Sequence, residues 1–263
     1  MILSPPRQAF RQTLTIRVAL ALLLVGAAFV IWLIASESSS TSTIPYIVEG
    51  ALVVLAIVFW IMIGKTILSI HDEGVRRSSV FGTKEMEWRN VREYRYRVVP
   101  VQAAGGLIGA IALAAARRAG GRAATTNLYL TLVDNEGRKI AVNSFFKDAY
   151  DAVGMILGAL HQQMRPKIEA DVQTTGATFG PLRLSARQLQ WKQKDPVLLG
   201  ELQNADITGQ TLRIRKKGKM LSLVSVRSDK VPNVLLLLEM MEKLGVGGGG
   251  GTPMVDPLAR VRT

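Results

Sequence analysis

No cysteine occurs anywhere in the 263 residues. Disulfide scaffolds, thiolate zinc sites and cysteine nucleophiles are therefore excluded, and the composition fits a reducing cytoplasm. Histidine is nearly absent too: His71 and His161 are the only two, and no HExxH pair occurs. Asp72 and Glu73 adjoin His71, but neighbours on a strand point to opposite faces, so the trio is no ready metal site. His161 falls on a helical pattern, where a structural imidazole is expected. The GKT at 64–66 lacks the upstream glycine of a phosphate loop, and GGLIGA at 105–110 has no βαβ unit around it. No catalytic residue, cofactor or metal is expected. The chain reads as a non-enzyme.

Acidic side chains are also scarce, 20 against 33 Lys and Arg, for a formal net charge of +13. The first seventy residues carry Arg7, Arg11, Arg17 and Lys65 against Glu37 and Glu49. Eleven of the thirteen net charges therefore lie beyond residue 70. Such a basic remainder suits an anionic lipid surface, at about 1 kcal/mol per well-placed cation. Nucleic acid is the other partner that such charge suits, and a basic surface can also serve solubility alone.

Charge of either sign is missing between Arg17 and Glu37, where the chain reads VALALLLVGAAFVIWLIAS. A second apolar run, IPYIVEGALVVLAIVFWIMIG, ends at Lys65. Roughly 20 apolar residues let a helix cross a bilayer core of about 30 Å. The expectation is a transmembrane hairpin with spans of about 18–36 and 45–65. The first span reads as uncleaved, its apolar stretch being longer than that of a signal peptide. Cations flank the hairpin on both outer sides (Arg7, Arg11 and Arg17 before it, Lys65, Arg76 and Arg77 after it), and the connection at 37–43 has none. By the positive-inside rule both termini are expected in the cytoplasm. Residues 1–17 then form a basic leader.

Beyond the hairpin the period changes. TILSIHDEGVRRSS and GTKEMEWRNVREYRYRV alternate as strands do. NLYLTLVDNEGRKIAVNSF reads as a hairpin turning at Gly137. A helix follows, with Ala149, Val153, Ile156, Leu157, Leu160 and Met164 at helical spacing and a stop at Pro166. The same order then recurs: strands, a hairpin TLRIRKKGKMLSLVSV turning at Gly218, and a helix VPNVLLLLEMMEKL. The expected units are 66–165 and 174–245, with a Gly/Ala-rich helical insertion at 101–124 and a flexible tail over 246–263. This unit resembles the pleckstrin-homology-like domain, through EWRNVREYRYRV in the first copy and GELQNADITG in the second. With the hairpin ahead of it, the chain resembles bacterial membrane-anchored proteins carrying tandem domains of that type. The resemblance implies an α+β membrane protein of the bacterial inner membrane. In it, two bent antiparallel sheets or barrels are each closed by a C-terminal helix.

Two groups of cations carry the binding expectation. Arg213, Arg215, Lys216, Lys217 and Lys219 crowd one hairpin tip and can meet a phosphate-bearing surface. Arg117, Arg118 and Arg122 close the insertion, whose Gly105 and Gly109 form a GxxxG pair that permits helix–helix contact, in a homo-oligomer or with another protein. On the strand at 89–97, alternation sends Arg95 and Arg97 to one face and Arg92, Tyr94 and Tyr96 to the other. The expected role is a membrane-anchored scaffold or sensor engaging anionic headgroups. The alternative is a protein–protein assembly module. Nucleic-acid binding and an unrecognised enzyme rank below these.

Overall fold

The computed structural model describes residues 4–12, 66–100, 126–219 and 221–248, with Gly26, Gly50, Ala51, Val54 and Val58 singly. The chain divides into two compact units, Met1–Glu85 with Phe145–Asp148, and Met86–Ser144 with Ala149–Thr263.

The first unit is built on an antiparallel sheet in the order β1 (Gln8–Arg11), β2 (Ile67–Ile70), β3 (Gly74–Ser79), β4 (Gly82–Glu87). Period-two alternation buries Phe10, Leu68 and Ile70. β1 pairs with β2 from Gln8↔Ile70 to Arg11↔Ile67. A strand laid down ahead of the apolar runs thus completes this sheet, so the expected leader at 1–17 and the boundary at 66 both shift. Ser4 secures the entry: His71 Nδ1 lies 2.5 Å from its carbonyl oxygen, and its hydroxyl donates to Glu73 at 2.7 Å. That hydroxyl bond, with the Ser4 N–H, holds the Glu73 carboxyl below its ordinary range. His71, Asp72 and Glu73 thus anchor the chain start, Asp72 through an ion pair with Arg7.

The second unit holds three further sheets. β5 (Val91–Pro100), β6 (Thr126–Asp134) and β7 (Lys139–Asn143) form an antiparallel sheet, followed by α1 (Ala149–Gln173). Then come β8 (Ala177–Phe179), β9 (Leu182–Leu184), β10 (Gln188–Trp191) and β11 (Val197–Leu198) in one sheet. β12 (Leu202–Thr208), β13 (Thr211–Lys216) and β14 (Ser222–Arg227) form another, and α2 (Val234–Lys243) closes the series.

Four strands, a one-turn 3-10 helix, three strands and an α-helix therefore occur twice in chain order. The 3-10 turns, Trp88–Asn90 and Leu199–Glu201, each bury their first side chain. The strand after each turn opens with a register shift, at Val91/Glu93 and at Leu202/Asn204. Two matching irregularities at matching places make the duplication more than a likeness of composition.

The expected fold class needs correction. The described chain is mostly antiparallel sheet, and among the described residues no helix is long and apolar enough to cross a membrane. α1 has 25 residues but carries Asp151, Arg165, Lys167, Glu169 and Asp171; α2 has only 10. The N-terminal two-helix transmembrane hairpin, and the multi-pass inner-membrane placement drawn from it, are thus not supported. The segments expected as spans lie outside the described residues, apart from the five single positions, all helical.

Two local expectations also change. α1 runs through Pro166 to Gln173 rather than stopping there. Proline removes one backbone bond and strains one turn, yet the following turns bury Ile168 and Val172. That apolar burial, at about 25 cal/mol per Å², offsets the loss. The tail is also not free from its start: Val246 is buried, and β15 (Gly247–Gly248) pairs in parallel with Asn204 and Ala205 of β12.

One glycine is required by space as well as by conformation. Gly180 turns β8 into β9 at φ +62°, and a Cβ there would meet Pro232 Cδ at 2.8 Å. Gly180→Ala is expected to cost roughly 2 kcal/mol or more, from the left-handed backbone and the displaced ring together. A lowered denaturation midpoint at unchanged slope is the readout.

Candidate functional site

Among the described residues, the hairpin of β13 and β14 carries the strongest cationic feature that is open to a partner. Gly218, at φ +68°, makes the turn, and the Lys219 N–H donates to the Lys216 carbonyl at 3.2 Å. Lys217 N–H donates to the Glu201 carbonyl at 2.8 Å, which ties the tip to the 3-10 turn before β12. Alternation buries Leu212 and Ile214, so Arg213 and Arg215 share the opposite face. A register shift between Ile214 and Arg215 bends the ribbon just before its tip.

The five tip cations separate into two kinds. Lys216 Nζ is held by Glu201 at 2.5 Å. Arg213, Arg215, Lys217 and Lys219 have no ion pair among the described residues. Asp206 faces Arg213 across the ladder, but its carboxylate accepts from Thr208 Oγ1 at 2.9 Å and Asn204 Nδ2 at 3.4 Å. Beside these cations Leu221 is 85 % exposed. An apolar side chain at the tip of a cationic hairpin was not anticipated from the sequence. Its signal is in the sequence: Met220 and Leu221 end the polar run RKKGK.

The other basic strand is arranged differently. Arg89 is bonded to Glu87 at 2.5 Å, and Arg95 to Glu93 at 2.9 Å. Arg97 pairs with Asp229 at 3.6 Å and lies 5.0 Å above the Tyr129 ring. Acids spaced along the same stretch thus neutralise much of the cluster. Tyr94 and Tyr96 point into the core and are closed to stacking with a base. Arg92 does not share their face, as simple alternation predicts. The register steps from Val91↔Asp134 to Glu93↔Val133 and leaves Arg92 unpaired with β6 and exposed. Arg117, Arg118, Arg122, Gly105 and Gly109 lie outside the described residues.

A buried polar chain joins the two copies within the second unit. The Tyr94 hydroxyl lies 2.8 Å from His161 Nε2 and accepts from the Leu236 N–H at 3.3 Å. The hydroxyl proton is therefore assigned to His161 Nε2, which places the imidazole proton on Nδ1, 3.5 Å from Glu239 Oε2. Arg165 holds the other Glu239 oxygen at 2.8 Å. Tyr94 also exchanges two backbone-level bonds with Asn233: its N–H donates to Asn233 Oδ1 at 2.9 Å and its carbonyl accepts the Asn233 N–H at 2.8 Å. Asn233 sits at φ 53° just before α2 and does not cap that helix with its own side chain. Tyr94 does so instead, through Leu236. Burial raises the Tyr94 phenol far above its ordinary value. With Tyr94 at 0 % and His161 at 3 % exposure, no substrate reaches this chain, and it serves as a polar lock. Glu239, an acid inside VLLLLEMM, was the mark of it in the sequence.

A family model matches residues 111–247, a stretch that takes in β6, β7, α1 and the whole second series through α2. The chain belongs to DUF6585, a family of unknown function. No curated protein matches it. The DUF6585 stretch contains the cationic hairpin and both helices of the polar lock, while Tyr94 lies ahead of it.

Proposed function

We propose that this DUF6585 chain is a non-enzymatic scaffold or sensor that docks on anionic lipid surfaces through the β13–β14 tip. In this reading each copy is a pleckstrin-homology-like unit. The repeated order of four strands, three strands and a closing helix supports that resemblance. The observation that carries the proposal is the tip itself: four cations without acidic partners among the described residues, beside an exposed leucine. Cations meet headgroup phosphates while an apolar side chain enters the acyl boundary. The polar lock keeps α2 seated.

The test is co-sedimentation of the full chain with vesicles of phosphatidylcholine alone or with added phosphatidylglycerol. Binding is expected only to the second, and it weakens as added salt screens the charges. Equal binding to both vesicle types would remove the proposal.

A further inference from the structure

A second site, distinct from the hairpin tip, lies where the two copies meet in the second unit. It is a cleft of about 370 Å³ between the start of β5, the β6–β7 turn, the C-terminal half of α1 and β8. That size lies within the range of small-molecule sites. Three cations line it, Arg89, Arg92 and Lys167, against one carboxylate, Asp171. Asn135 and Gln163 add neutral donors and acceptors at the rim, and the buried ring of Phe179 contributes to the apolar floor.

Arg92 is there because of the register shift at Val91/Glu93. Without that extra residue it would follow the strand alternation; with it, the side chain is released to the cleft. Arg89 uses its Nε for Glu87, which leaves its terminal Nη donors to face a ligand. Glu87 and Glu93 do not line the cleft. Lys167 stands one α-helical turn before Asp171 yet makes no ion pair among the described residues. The first copy contributes the cations, and the second copy supplies Phe179 and Thr178, so the cleft depends on both.

We infer that this cleft binds a phosphomonoester dianion with a compact apolar body. Glu87 and Glu93 meet Arg89 and Arg92 from outside the cleft and at Nε, at 2.5 and 4.0 Å, so the terminal Nη donors of both guanidiniums, with Lys167, are what the cleft offers to phosphate oxygens, and the floor takes the ester group. The ligand source is either a soluble phosphate ester or the headgroup of phosphatidic acid, which share this chemistry.

Calorimetry of the full chain with phenyl phosphate tests the inference. Saturable binding is expected at millimolar concentration or below, and phenyl sulfate, a monoanion of the same shape, binds at least about tenfold more weakly. Arg92→Gln weakens binding about tenfold, and the triple variant R89Q/R92Q/K167Q abolishes it. A chain reversed in charge at 213, 215, 217 and 219 keeps it. On that reversed chain, displacement of phenyl phosphate by phosphatidic acid vesicles identifies a lipid source. Displacement by soluble esters alone identifies a metabolite. All three substituted side chains are exposed, so the variants should fold. Should one fail to, a rise in the wild-type melting temperature with phenyl phosphate but not phenyl sulfate decides the matter. No saturable binding by the wild type, or undiminished binding by the triple variant, overturns the inference.

Discussion

Tyr94→Phe is expected to destabilise the second unit by about 2 kcal/mol although it removes one oxygen. That hydroxyl sits at 0 % exposure and serves His161 Nε2 and the Leu236 N–H at once. Without it, a ring nitrogen and a helix N-terminal donor stay buried without their partner, and each orphaned group costs about 1–3 kcal/mol. Tyr94→Ala adds the loss of a packed ring and is expected to cost about 4 kcal/mol. Urea denaturation followed by tryptophan fluorescence reads both. The phenol also sets an alkaline limit. Burial raises its folded pKa above the ordinary 10.0, so the folded state keeps a proton that the unfolded chain releases. The stability this represents is complete below pH 10 and declines as pH rises past it. Tyr94→Phe loses that part of the alkaline dependence. A variant as stable as wild type, with the same alkaline profile, would show that the lock carries no weight.

Reversing the hairpin charge is the larger functional effect. R213E/R215E/K217E/K219E changes four side chains that have no acidic partner among the described residues, so little internal pairing is lost. Each cation near an anionic surface contributes about 1 kcal/mol. Removing four therefore weakens vesicle affinity by about 4 kcal/mol, roughly a thousandfold, and reversal adds repulsion. Lys216→Gln should matter much less, because Glu201 already holds that ammonium at 2.5 Å. Leu221→Asn keeps the charge of the tip and tests the apolar contribution: binding weakens while its dependence on salt is unchanged. Flotation of the quadruple variant with anionic vesicles, as efficient as wild type, would remove the tip from the account.

These effects rest on features that the sequence showed unequally. The duplicated order was legible because turns at Gly137 and Gly218 separate alternating runs, and helices close each copy with buried faces. The cations at 213–219 were legible as a cluster, but which of them lacks an acid was not, since Glu201 reaches Lys216 from another strand's approach. β1 is not legible, because four residues with one buried phenylalanine carry almost no periodic signal. Alternation puts Arg92 beside Tyr94 and Tyr96, and it holds only until a residue is inserted in the ladder. Pro166 looked like a terminator because local rules ignore what the next turns bury. The apolar runs dominated the fold expectation through hydropathy alone, whereas the described residues show sheets and no spanning helix. The polar lock links Tyr94 to residues 67 and 142 positions away, a separation that no local pattern carries.

Hydrogen–deuterium exchange of the full chain with and without phosphatidylglycerol vesicles tests the docking surface most directly. Protection is expected to concentrate at 211–227 and to vanish in the charge-reversed chain. Protection confined to other segments, or none at lipid concentrations where the chain co-sediments, would contradict docking through this hairpin.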